Sequence, residues 1–289
     1  MADISVIGLG AMGSALARAL LRARLRVTVW NRTAPRMQPL LAAGADGAGT
    51  IASAVQASPL VLICIDNYAA TTRLLGATGV SQHLSGRTLI QLSTGTPREA
   101  RESEVWAGDV GVGYVDGKIL GGPASIDTER GMILVAGAKA AFASCESAVR
   151  SLEGDIRYLG DSIGAPATLD LAWLSERFGS FVGAAHGARL CEAEGVGIDL
   201  YASLFAEGQT AKRFADIIHR RAYENPGATL QVWTAALERI QDQANDAGIN
   251  REFPDFVLRI LKRAIAAGHG GEHIAALSKV QKRPRTGAS

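Results

Sequence analysis

Cysteine is scarce in this sequence of 289 residues, and its three cysteines are Cys64, Cys145 and Cys191. They lie far apart and form no Cys-x-x-Cys pair, so the sequence indicates neither a disulfide framework nor a thiolate metal site. The five histidines form no metal-binding motif either, and we expect no bound metal. Cysteine usage of this kind is typical of proteins from a reducing compartment, and we expect a cytoplasmic protein.

The sequence also lacks an excess of charge and a long apolar run. Its 30 lysines and arginines nearly balance its 28 aspartates and glutamates, giving a net charge of +2. This balance predicts neither a nucleic acid nor an anionic membrane surface as a partner. In the most apolar helical stretch, the longest part without charge lies between Arg177 and Arg189, which is too short to span a bilayer. We therefore expect no membrane span, and the polar start before the first apolar run leads us to expect no signal peptide.

The first half of the sequence alternates between short β-rich runs and helical stretches. Near-continuous runs of Val, Ile and Leu are typical of strands buried on both faces of a parallel sheet. Such runs predict strands at Ile4–Gly8, Val27–Trp30, Leu60–Ile65, Thr88–Leu92, Val115–Leu120, Met132–Ala136 and Ile156–Leu159. Helical segments between them include Ala11–Ala23, Pro39–Ala43 and Ile51–Ala57. Strand alternating with helix predicts a doubly wound α/β domain.

The pattern changes near Asp161, after which the sequence shows only helical periodicity. A long stretch with few charges runs from Gly164 to Cys191, and the later helical patterns are Leu200–Arg221, Ala228–Ala247 and Phe253–Ala267. We therefore predict an α/β domain with a parallel sheet over residues 1–162. A long interdomain helix and an all-α C-terminal domain are predicted over residues 163–289.

Three glycines recur every four residues on one face of the long helix, namely Gly179, Gly183 and Gly187. Each glycine costs a helix interior about 1 kcal/mol relative to alanine. Close approach of another helix would compensate this loss. The neighbouring helix could belong to the same subunit or to a second subunit of a homodimer, and the spacing favours neither interpretation.

A Gly-x-Gly-x-x-Gly motif joins the first predicted strand to the first helix, and its residues are Gly8, Leu9, Gly10, Ala11, Met12 and Gly13. In this context the first glycine allows a tight turn and the second lets the backbone approach a pyrophosphate. The third lets the helix pack on the strand, while the helix N-terminus faces the phosphates. The motif therefore predicts a Rossmann dinucleotide-binding domain.

The end of the second predicted strand indicates which dinucleotide binds. NAD-binding domains usually carry a carboxylate there, which accepts hydrogen bonds from the ribose 2′-hydroxyl. This sequence has Asn31, Arg32 and Thr33 instead, with Arg36 close by. A guanidinium can grip a 2′-phosphate through paired charge-assisted hydrogen bonds, and Asn31 and Thr33 can add hydrogen bonds. We therefore predict NADPH as the cofactor.

Several further segments resemble one known family. The motif at Gly8–Gly13, together with Ser93–Pro97, is similar to the β-hydroxyacid dehydrogenase superfamily. Segments that resemble its imine reductase and reductive aminase branch are Tyr114–Gly117, Arg157–Gly160, Leu169–Ala172 and Ala266–Gly270. The resemblance runs nearly end to end. It implies a Rossmann domain joined by a long helix to a C-terminal domain like that of 6-phosphogluconate dehydrogenase, in a domain-swapped homodimer.

The resemblance also implies a function and further site residues. It implies hydride transfer from NADPH to a small-molecule imine, with additional cofactor-binding residues at Cys64, Ile65, Ser93 and Thr94. The hydroxyacid dehydrogenases of the superfamily place a catalytic lysine in the connecting helix, where this sequence has Asp170. A carboxylate there opposes an alkoxide and favours an iminium cation.

Asp170 is therefore the predicted catalytic residue, either as the anionic partner of the substrate nitrogen or as a proton donor through water. From the sequence alone, an aspartate in a favourable position in the helix dipole is an equally good interpretation.

Three departures from the family pattern bear on the substrate. Reductive aminases typically carry a tyrosine two turns after the aspartate and an asparagine in the Ser-x-Gly-Thr-Pro loop, whereas this sequence has Phe178 and Thr94. These differences favour reduction of a preformed imine over condensation of ketone and amine. Thr94, Trp173 and Phe178 are predicted to line an apolar substrate pocket, although the two aromatic residues could equally be core.

The third departure is the segment Lys118–Pro123, whose Gly121-Gly122-Pro123 is closer to the hydroxyacid enzymes. Two alternatives to an imine reductase therefore stay open, a hydroxyacid dehydrogenase and a non-catalytic NADPH-binding module.

Overall fold

The computed structural model describes residues 1–128, 131–152 and 154–281. Eight strands of the N-terminal half form one sheet in the order β3-β2-β1-β4-β5-β6-β7-β8. Their bounds are β1 Ile4–Ile7, β2 Val27–Trp30, β3 Asp46–Gly47, β4 Leu60–Ile63, β5 Thr88–Gln91, β6 Gly113–Ile119, β7 Met132–Gly137 and β8 Asp155–Tyr158. Every predicted strand is present, and the sequence analysis missed only the two-residue β3.

The sheet is parallel except at one pair of strands. β6 and β7 pair antiparallel, with Gly117 opposite Val135, whereas the other neighbouring strands run parallel. The predicted parallel sheet is therefore confirmed except at this pair. The connection between β6 and β7 contains no crossover helix among its described residues, and a parallel return requires such a crossover. The predicted fold class is otherwise confirmed.

Six α-helices accompany the strands within the described part of the N-terminal half. They are α1 Ala11–Arg22, α2 Gln38–Leu41, α3 Ile51–Gln56, α4 Tyr68–Leu75, α5 Pro97–Asp109 and α6 Lys139–Arg150. Helix α5 begins with a capping box, because the Thr96 hydroxyl accepts from the Glu99 backbone N–H at 3.2 Å and the Glu99 carboxylate accepts from the Thr96 N–H at 2.8 Å. This cap fixes the loop that runs from β5 into α5.

The C-terminal half is helical throughout its described residues. Its α-helices are α7 Ala165–Ala193, α8 Ile198–Ser203, α9 Thr210–Arg220, α10 Leu230–Ala247 and α11 Glu252–Ala264. The prediction of one helical segment over Leu200–Arg221 is wrong, because α8 ends at Ser203 and α9 begins at Thr210. Between the two helices Gly208 has a positive φ of +86° and Gln209 is extended, and neither conformation continues a helix.

The chain divides into two compact units, Met1–Asp170 and Leu171–Ser289, so the division falls within helix α7. Each unit has its own core. The sheet and its helices enclose fully buried aliphatic side chains such as Ile4, Leu16 and Leu62. The helical unit is built around Phe178, Leu237 and Leu261. Among the described residues, no helix is long and apolar enough to cross a membrane.

Candidate active site

The glycine-rich loop after β1 requires glycine at two positions, because a side chain at either position would collide with the backbone. Gly8 has a φ of +95°, and a Cβ there would lie 2.3 Å from the carbonyl oxygen of Cys64. A Cβ on Gly13 would lie 1.9 Å from the carbonyl oxygen of Gly8. Both distances are far inside van der Waals contact. The loop and α1 therefore pack tightly on the ends of β1 and β4.

Gly10 differs from the other two glycines because it faces open space. A Cβ there would meet no atom within 4 Å, and Gly10 is the N-cap of α1 without a side-chain cap. The first turn of α1 contains no acidic residue, and Ala11 in it is exposed. Exposed backbone N–H groups at an uncapped helix start attract anions. This surface fits the pyrophosphate of a dinucleotide, whose close approach a side chain at position 10 would obstruct.

Asn31 connects the end of β2 to the glycine-rich loop. Its Oδ1 accepts a hydrogen bond from the Leu9 backbone N–H at 2.9 Å, and its Nδ2 donates to the Thr33 carbonyl at 3.0 Å. Asn31 therefore holds the loop in place. Arg32, Thr33 and Arg36 are exposed, and the Thr33 hydroxyl does not cap the 3-10 turn that begins at Ala34.

The ends of β4 and β5 contribute the remaining predicted cofactor residues. The Cys64 backbone N–H donates to the Ile7 carbonyl at 2.9 Å, and the Ile65 N–H donates to the Ser93 hydroxyl at 3.2 Å. Ser93 is buried, whereas Thr94 beside it is exposed. Burial raises the pKa of the Cys64 thiol to about 12, so this cysteine is a structural residue rather than a nucleophile.

All of these residues lie at the carboxyl ends of neighbouring parallel strands. β1 stands between β2 and β4 in the sheet, and the chain order reverses there. This reversal is the topological switch point at which open α/β sheets bind ligands. The glycine loop, the exposed helix start and the arginine-bearing end of β2 therefore fit a dinucleotide with a 2′-phosphate.

Asp170 is a buried carboxyl group in helix α7, with 5% of the residue exposed. It is the sixth residue of the helix, outside the first turn in which the helix dipole stabilises an anion. Burial is the largest effect on its pKa and raises it from 3.8 to about 7. The positive charge of Lys118 opposes this rise, and the negative charge of Asp116 adds to it. A carboxyl group with this pKa can both hold and release a proton near neutrality.

A buried polar cluster that the sequence analysis missed lies in the same unit as Asp170. We call it the Lys118 cluster, and it consists of Tyr68, Tyr114, Asp116 and Lys118. The Lys118 ammonium donates to Asp116 Oδ1 at 2.5 Å, to the Tyr68 hydroxyl at 2.8 Å and to the Gly117 carbonyl at 3.0 Å. The Tyr68 and Tyr114 hydroxyls both donate to Asp116 Oδ2.

The Lys118 cluster is withdrawn from solvent and satisfies all its charges internally. Lys118 is 1% exposed and Asp116 is fully buried. Burial raises the pKa of Asp116, while the charge and hydrogen bond of Lys118 and the hydrogen bonds of the two tyrosines lower it. All three ammonium protons of Lys118 are used. The ion pair is neutral overall. Asp170, by contrast, is a buried carboxyl group for which the described residues provide no hydrogen-bond partner.

One sequence signal points to this cluster. Residues 114, 116 and 118 alternate along strand β6 and therefore share one face of the sheet, where apolar side chains are expected. Gly95 links the cluster to the loop that carries Ser93 and Thr94, since a Cβ on Gly95 would lie 2.4 Å from the Tyr68 ring.

The two aromatic residues predicted for the substrate pocket lie further along α7 in the helical unit. Trp173 is half-buried, and the Arg177 guanidinium lies 4.7 Å from its ring centroid. Phe178 is fully buried and packs edge-on against Phe181 and Trp233, at centroid distances of 6.0 and 5.8 Å. Phe178 is thus a core residue of its unit, and its role in a substrate pocket stays a prediction.

The fold and the cofactor-binding edge together define a nicotinamide dinucleotide-dependent oxidoreductase. Comparison with known families agrees with this class. The NAD-binding domain of 6-phosphogluconate dehydrogenase matches residues 3–160. The C-terminal domain of NADPH-dependent reductive aminase-like proteins matches residues 162–283.

Known proteins resemble the chain over nearly its whole length. The NADPH-dependent reductive aminase of Aspergillus oryzae is 31% identical over 283 residues, which is 95% of each protein. The reductive aminase from Aspergillus terreus, solved in complex with NADPH and ethyl levulinate, is 32% identical and superimposes with a TM-score of 0.68 over 98% of this chain and 100% of its own. The imine reductase from Myxococcus stipitatus, solved with NADP+, is 28% identical with a TM-score of 0.68 over 97% of this chain and 100% of its own.

The chain belongs to the family of NADPH-dependent reductive aminases and imine reductases. It is an NADPH-dependent oxidoreductase that acts on carbon–nitrogen double bonds. The predictions of the family and of NADPH as cofactor are thereby confirmed.

Proposed function

We propose that this protein reduces a preformed imine or iminium ion and that Asp170 is its catalytic residue. The observation that carries this proposal is the buried Asp170 carboxyl group, whose pKa is raised to about 7 beside the neutral Lys118–Asp116 ion pair. NADPH, when bound, supplies the hydride that the imine carbon accepts. The ionised Asp170 stabilises the iminium cation electrostatically, and the protonated Asp170 can deliver a proton to the imine nitrogen.

The residues of the site favour an imine that is already formed, of the bulky or cyclic kind. Phe178 has no hydroxyl group, and Thr94 presents only a short side chain where an amide would anchor an amine. The test is NADPH consumption measured in parallel against cyclic imines, aryl iminium compounds and ketone–amine pairs. We expect turnover of the first two classes. Equal turnover of ketone–amine pairs contradicts the preference for a preformed imine, and NADP+-dependent oxidation of β-hydroxyacids in place of imine reduction contradicts the proposed reaction.

Arg32 is proposed to bind the 2′-phosphate of NADPH, together with Asn31, Thr33 and Arg36. Replacing Arg32 with glutamine removes a charge-assisted hydrogen bond, which is worth about 1.5–3 kcal/mol. We expect the KM for NADPH to rise by roughly 10- to 100-fold, because each 1.4 kcal/mol changes an equilibrium constant tenfold. The KM for NADH should change little. The measurement is steady-state kinetics with both cofactors.

The matched control for this variant is Arg73→Gln, an equal change of charge at an exposed position of helix α4. It should leave the KM for NADPH within twofold of the original. An Arg32→Gln protein that still prefers NADPH as strongly as before would remove Arg32 from the proposed phosphate site.

We also propose that residues 1–162 form the NADPH-binding domain and that residues 163–289 carry the interface of a domain-swapped homodimer. The limits of the two family matches, at residues 160 and 162, support this division. Eight of the eleven exposed large hydrophobic side chains of the described residues lie in the helical unit, namely Leu190, Val196, Leu200, Leu204, Val232, Ile249, Phe253 and Phe256. Exposed apolar side chains in this number are typical of an interface.

A cytoplasmic location is a further proposal, favoured by three free cysteines.

The glycine stripe of α7 offers a test of the dimer. A Cβ on Gly187 would lie 2.3 Å from the Tyr201 hydroxyl, so this glycine is explained by packing within the chain. Gly183 is exposed, and a Cβ there would meet no atom of the chain within 4 Å. We expect Gly183→Leu to leave the chain folded and to shift it from dimer to monomer in sedimentation velocity, because leucine prevents close approach of a second helix.

Gly183→Ala is the graded control, since one methyl group adds little volume and alanine favours the helix by about 1 kcal/mol. It should remain dimeric. A Gly183→Leu protein that sediments as the same dimer places the interface elsewhere.

A further inference from the structure

A small cavity in the helical unit is rich in unpaired positive charge. Its volume is about 60 Å³, room for several water-sized groups, and its lining includes Arg177, Arg213, Thr210, Trp233 and His273. No aspartate or glutamate lines it. A half-buried guanidinium group such as that of Arg177 is normally paired with an acidic group, and here a second guanidinium group lies at the same cavity instead.

Arg177 is the clearest sign that a partner is missing. Its guanidinium lies among the rings of Trp173, Phe181 and Trp233, at 4.7, 5.2 and 5.7 Å from their centroids. Its Nε is buried and has no hydrogen-bond partner among the described residues. Burial lowers the pKa of Arg177, the positive charge of Arg213 lowers it further, and the negative charge of Glu176 opposes the two only in part. An anion in the cavity would oppose both of these decreases.

The nearby carboxylates bind other groups. Glu176 accepts a hydrogen bond from the Ser180 hydroxyl at 2.9 Å. Glu207 and Asp216 pair with Lys212 at 3.4 and 2.9 Å. Arg213 forms no ion pair or hydrogen bond within residues 1–128, 131–152 and 154–281 and is exposed, so its side chain can reach a ligand.

Two further donors point to the same cavity. Thr210 is the first residue of the eleven-residue helix α9, whose first turn has no acidic residue and whose N-cap Gln209 provides no side-chain cap. The partial positive charge of this helix start adds to that of the arginines. The His273 ring offers the second donor. Burial, aided by Arg213, lowers the pKa of His273 to about 4, so the ring is neutral at pH 7. Its Nδ1 accepts from the Ala275 N–H at 3.1 Å, which leaves the proton on Nε2.

We propose that this cavity binds the carboxylate group of a small organic acid, held by Arg177 and Arg213 while the aromatic walls contact the acid's apolar body. The small volume accommodates a planar carboxylate, and guanidinium groups match its two oxygens. The rings of Phe181, Phe214 and Trp233 favour a carbon skeleton over a strongly hydrated inorganic phosphate.

The carboxylate has two possible sources. It can belong to the imine substrate, because Arg177 lies on the ring of Trp173, a predicted pocket residue; this source rests on the proposed function. It can also belong to a separate acid that binds beside the substrate. The chemistry at the cavity is the same in both cases, and the experiment separates them.

The first arm measures binding to the full-length protein by titration calorimetry, without turnover. Benzoate is the probe, benzamide is its uncharged counterpart, and inorganic phosphate is the competing anion. We expect benzoate to bind at least tenfold more tightly than either. We expect Arg213→Gln to weaken benzoate binding at least tenfold, since a hydrogen bond to a charged group is lost. Arg220→Gln, an equal charge change at the exposed far end of helix α9, should leave the affinity within twofold.

Arg177→Met is the second variant, and it keeps the proposal testable if Arg213→Gln does not fold. Arg177 Nε has no hydrogen-bond partner within the described part of the chain, and methionine keeps a polarizable apolar side chain against the rings of Trp173, Phe181 and Trp233. The variant should therefore keep a thermal unfolding temperature close to that of the unaltered protein. It should also abolish benzoate binding. Benzoate affinity that is unchanged in both Arg213→Gln and Arg177→Met overturns the proposal, as does phosphate binding as tight as that of benzoate.

The second arm compares kcat/KM for a cyclic imine that carries a carboxylate with that for its methyl ester. An advantage of the acid of at least tenfold, lost in Arg213→Gln, assigns the carboxylate to the substrate. Equal rates for acid and ester, with benzoate binding that the imine does not displace, assign it to a separate ligand. If Asp170→Asn retains full turnover while benzoate binding still depends on Arg213, the proposed catalytic role fails and the carboxylate site stands.

Discussion

Replacing Asp170 with asparagine is expected to lower kcat by roughly 10²–10⁴-fold while NADPH still binds. The variant keeps the shape of the side chain but can neither carry the negative charge that stabilises an iminium ion nor exchange a proton. Cofactor binding is assigned to the glycine-rich loop and the end of β2, which do not include Asp170, and should be unchanged. Single-turnover kinetics together with NADPH titration check both parts. Full activity in Asp170→Asn would remove Asp170 from the mechanism.

The stability of this variant separates a catalytic role from a structural one. The pKa of Asp170 is raised in the folded protein from 3.8 to about 7, so folding favours its protonated form. Its contribution to stability is fully present below pH 3.8 and is lost as pH rises through about 7. Above pH 7 the folded protein holds a buried carboxylate, at a cost of up to about 4 kcal/mol. Asp170→Asn avoids this cost, so we expect it to be at least as stable as the unaltered protein at pH 8.

The pH dependence of kcat distinguishes the two roles proposed for Asp170. If the protonated carboxyl group delivers a proton, kcat falls as pH rises above about 7. If the carboxylate stabilises the iminium cation, kcat falls as pH drops below about 7. In either case the limb near pH 7 should disappear from the residual activity of Asp170→Asn, because asparagine does not titrate there.

Lys118→Met is expected to destabilise the protein by about 3–5 kcal/mol at pH 8, because it leaves Asp116 buried without its cation. Methionine has nearly the same length as lysine, so the effect comes from charge rather than from a cavity. The pKa of Asp116 is already raised by burial and should rise further without Lys118. The loss of stability should therefore be larger at pH 8 than at pH 5, because the raised pKa lets Asp116 avoid its charge more readily at the lower pH. Urea denaturation at the two pH values measures the difference.

The double variant Asp116→Asn/Lys118→Met is the matched control. It removes both charges at once, and replacing a buried ion pair as a whole is often close to neutral. The Tyr68 and Tyr114 hydroxyls can still donate to the asparagine oxygen. We expect the double variant to recover most of the stability at pH 8. If Lys118→Met alone is as stable as the unaltered protein at pH 8, the ion pair does not have the energetic role that its burial indicates.

Replacing Lys118 should also raise the pKa of Asp170. The positive charge of Lys118 lowers the pKa of Asp170, and the charge of Asp116 raises it. Without the lysine, two carboxyl groups share the buried region without compensation, so the pKa of Asp170 rises. The Lys118 cluster therefore connects the stability of the sheet domain to the protonation of the proposed catalytic residue.

Two features differ from the sequence-based predictions, the direction of one strand pair and the separation of two helices. Tertiary contacts determine the first, and the local backbone conformation determines the second. The antiparallel pairing of β6 with β7 depends on how the chain returns after Ile119, and strand periodicity carries no information on direction. The segment between α8 and α9 contains Gly208 with a positive φ, and the sequence alone does not reveal this conformation, because glycine occurs inside helical patterns as well as in turns.

The local features of this protein follow from its sequence alone. The alternation of strands and helices, the glycine-rich turn at Gly8–Gly13 and the arginine at the end of β2 each involve residues within a few positions of one another, and nearby residues dictate local backbone conformation. The Lys118 cluster and the paired arginines of the helical unit were decided only by the tertiary structure. Tyr68 is 48 residues from Asp116, and Arg213 is 36 residues from Arg177 along the chain. The charges of the Lys118 cluster matter because folding removes them from water together, and no local pattern encodes which distant side chains will meet in the folded protein.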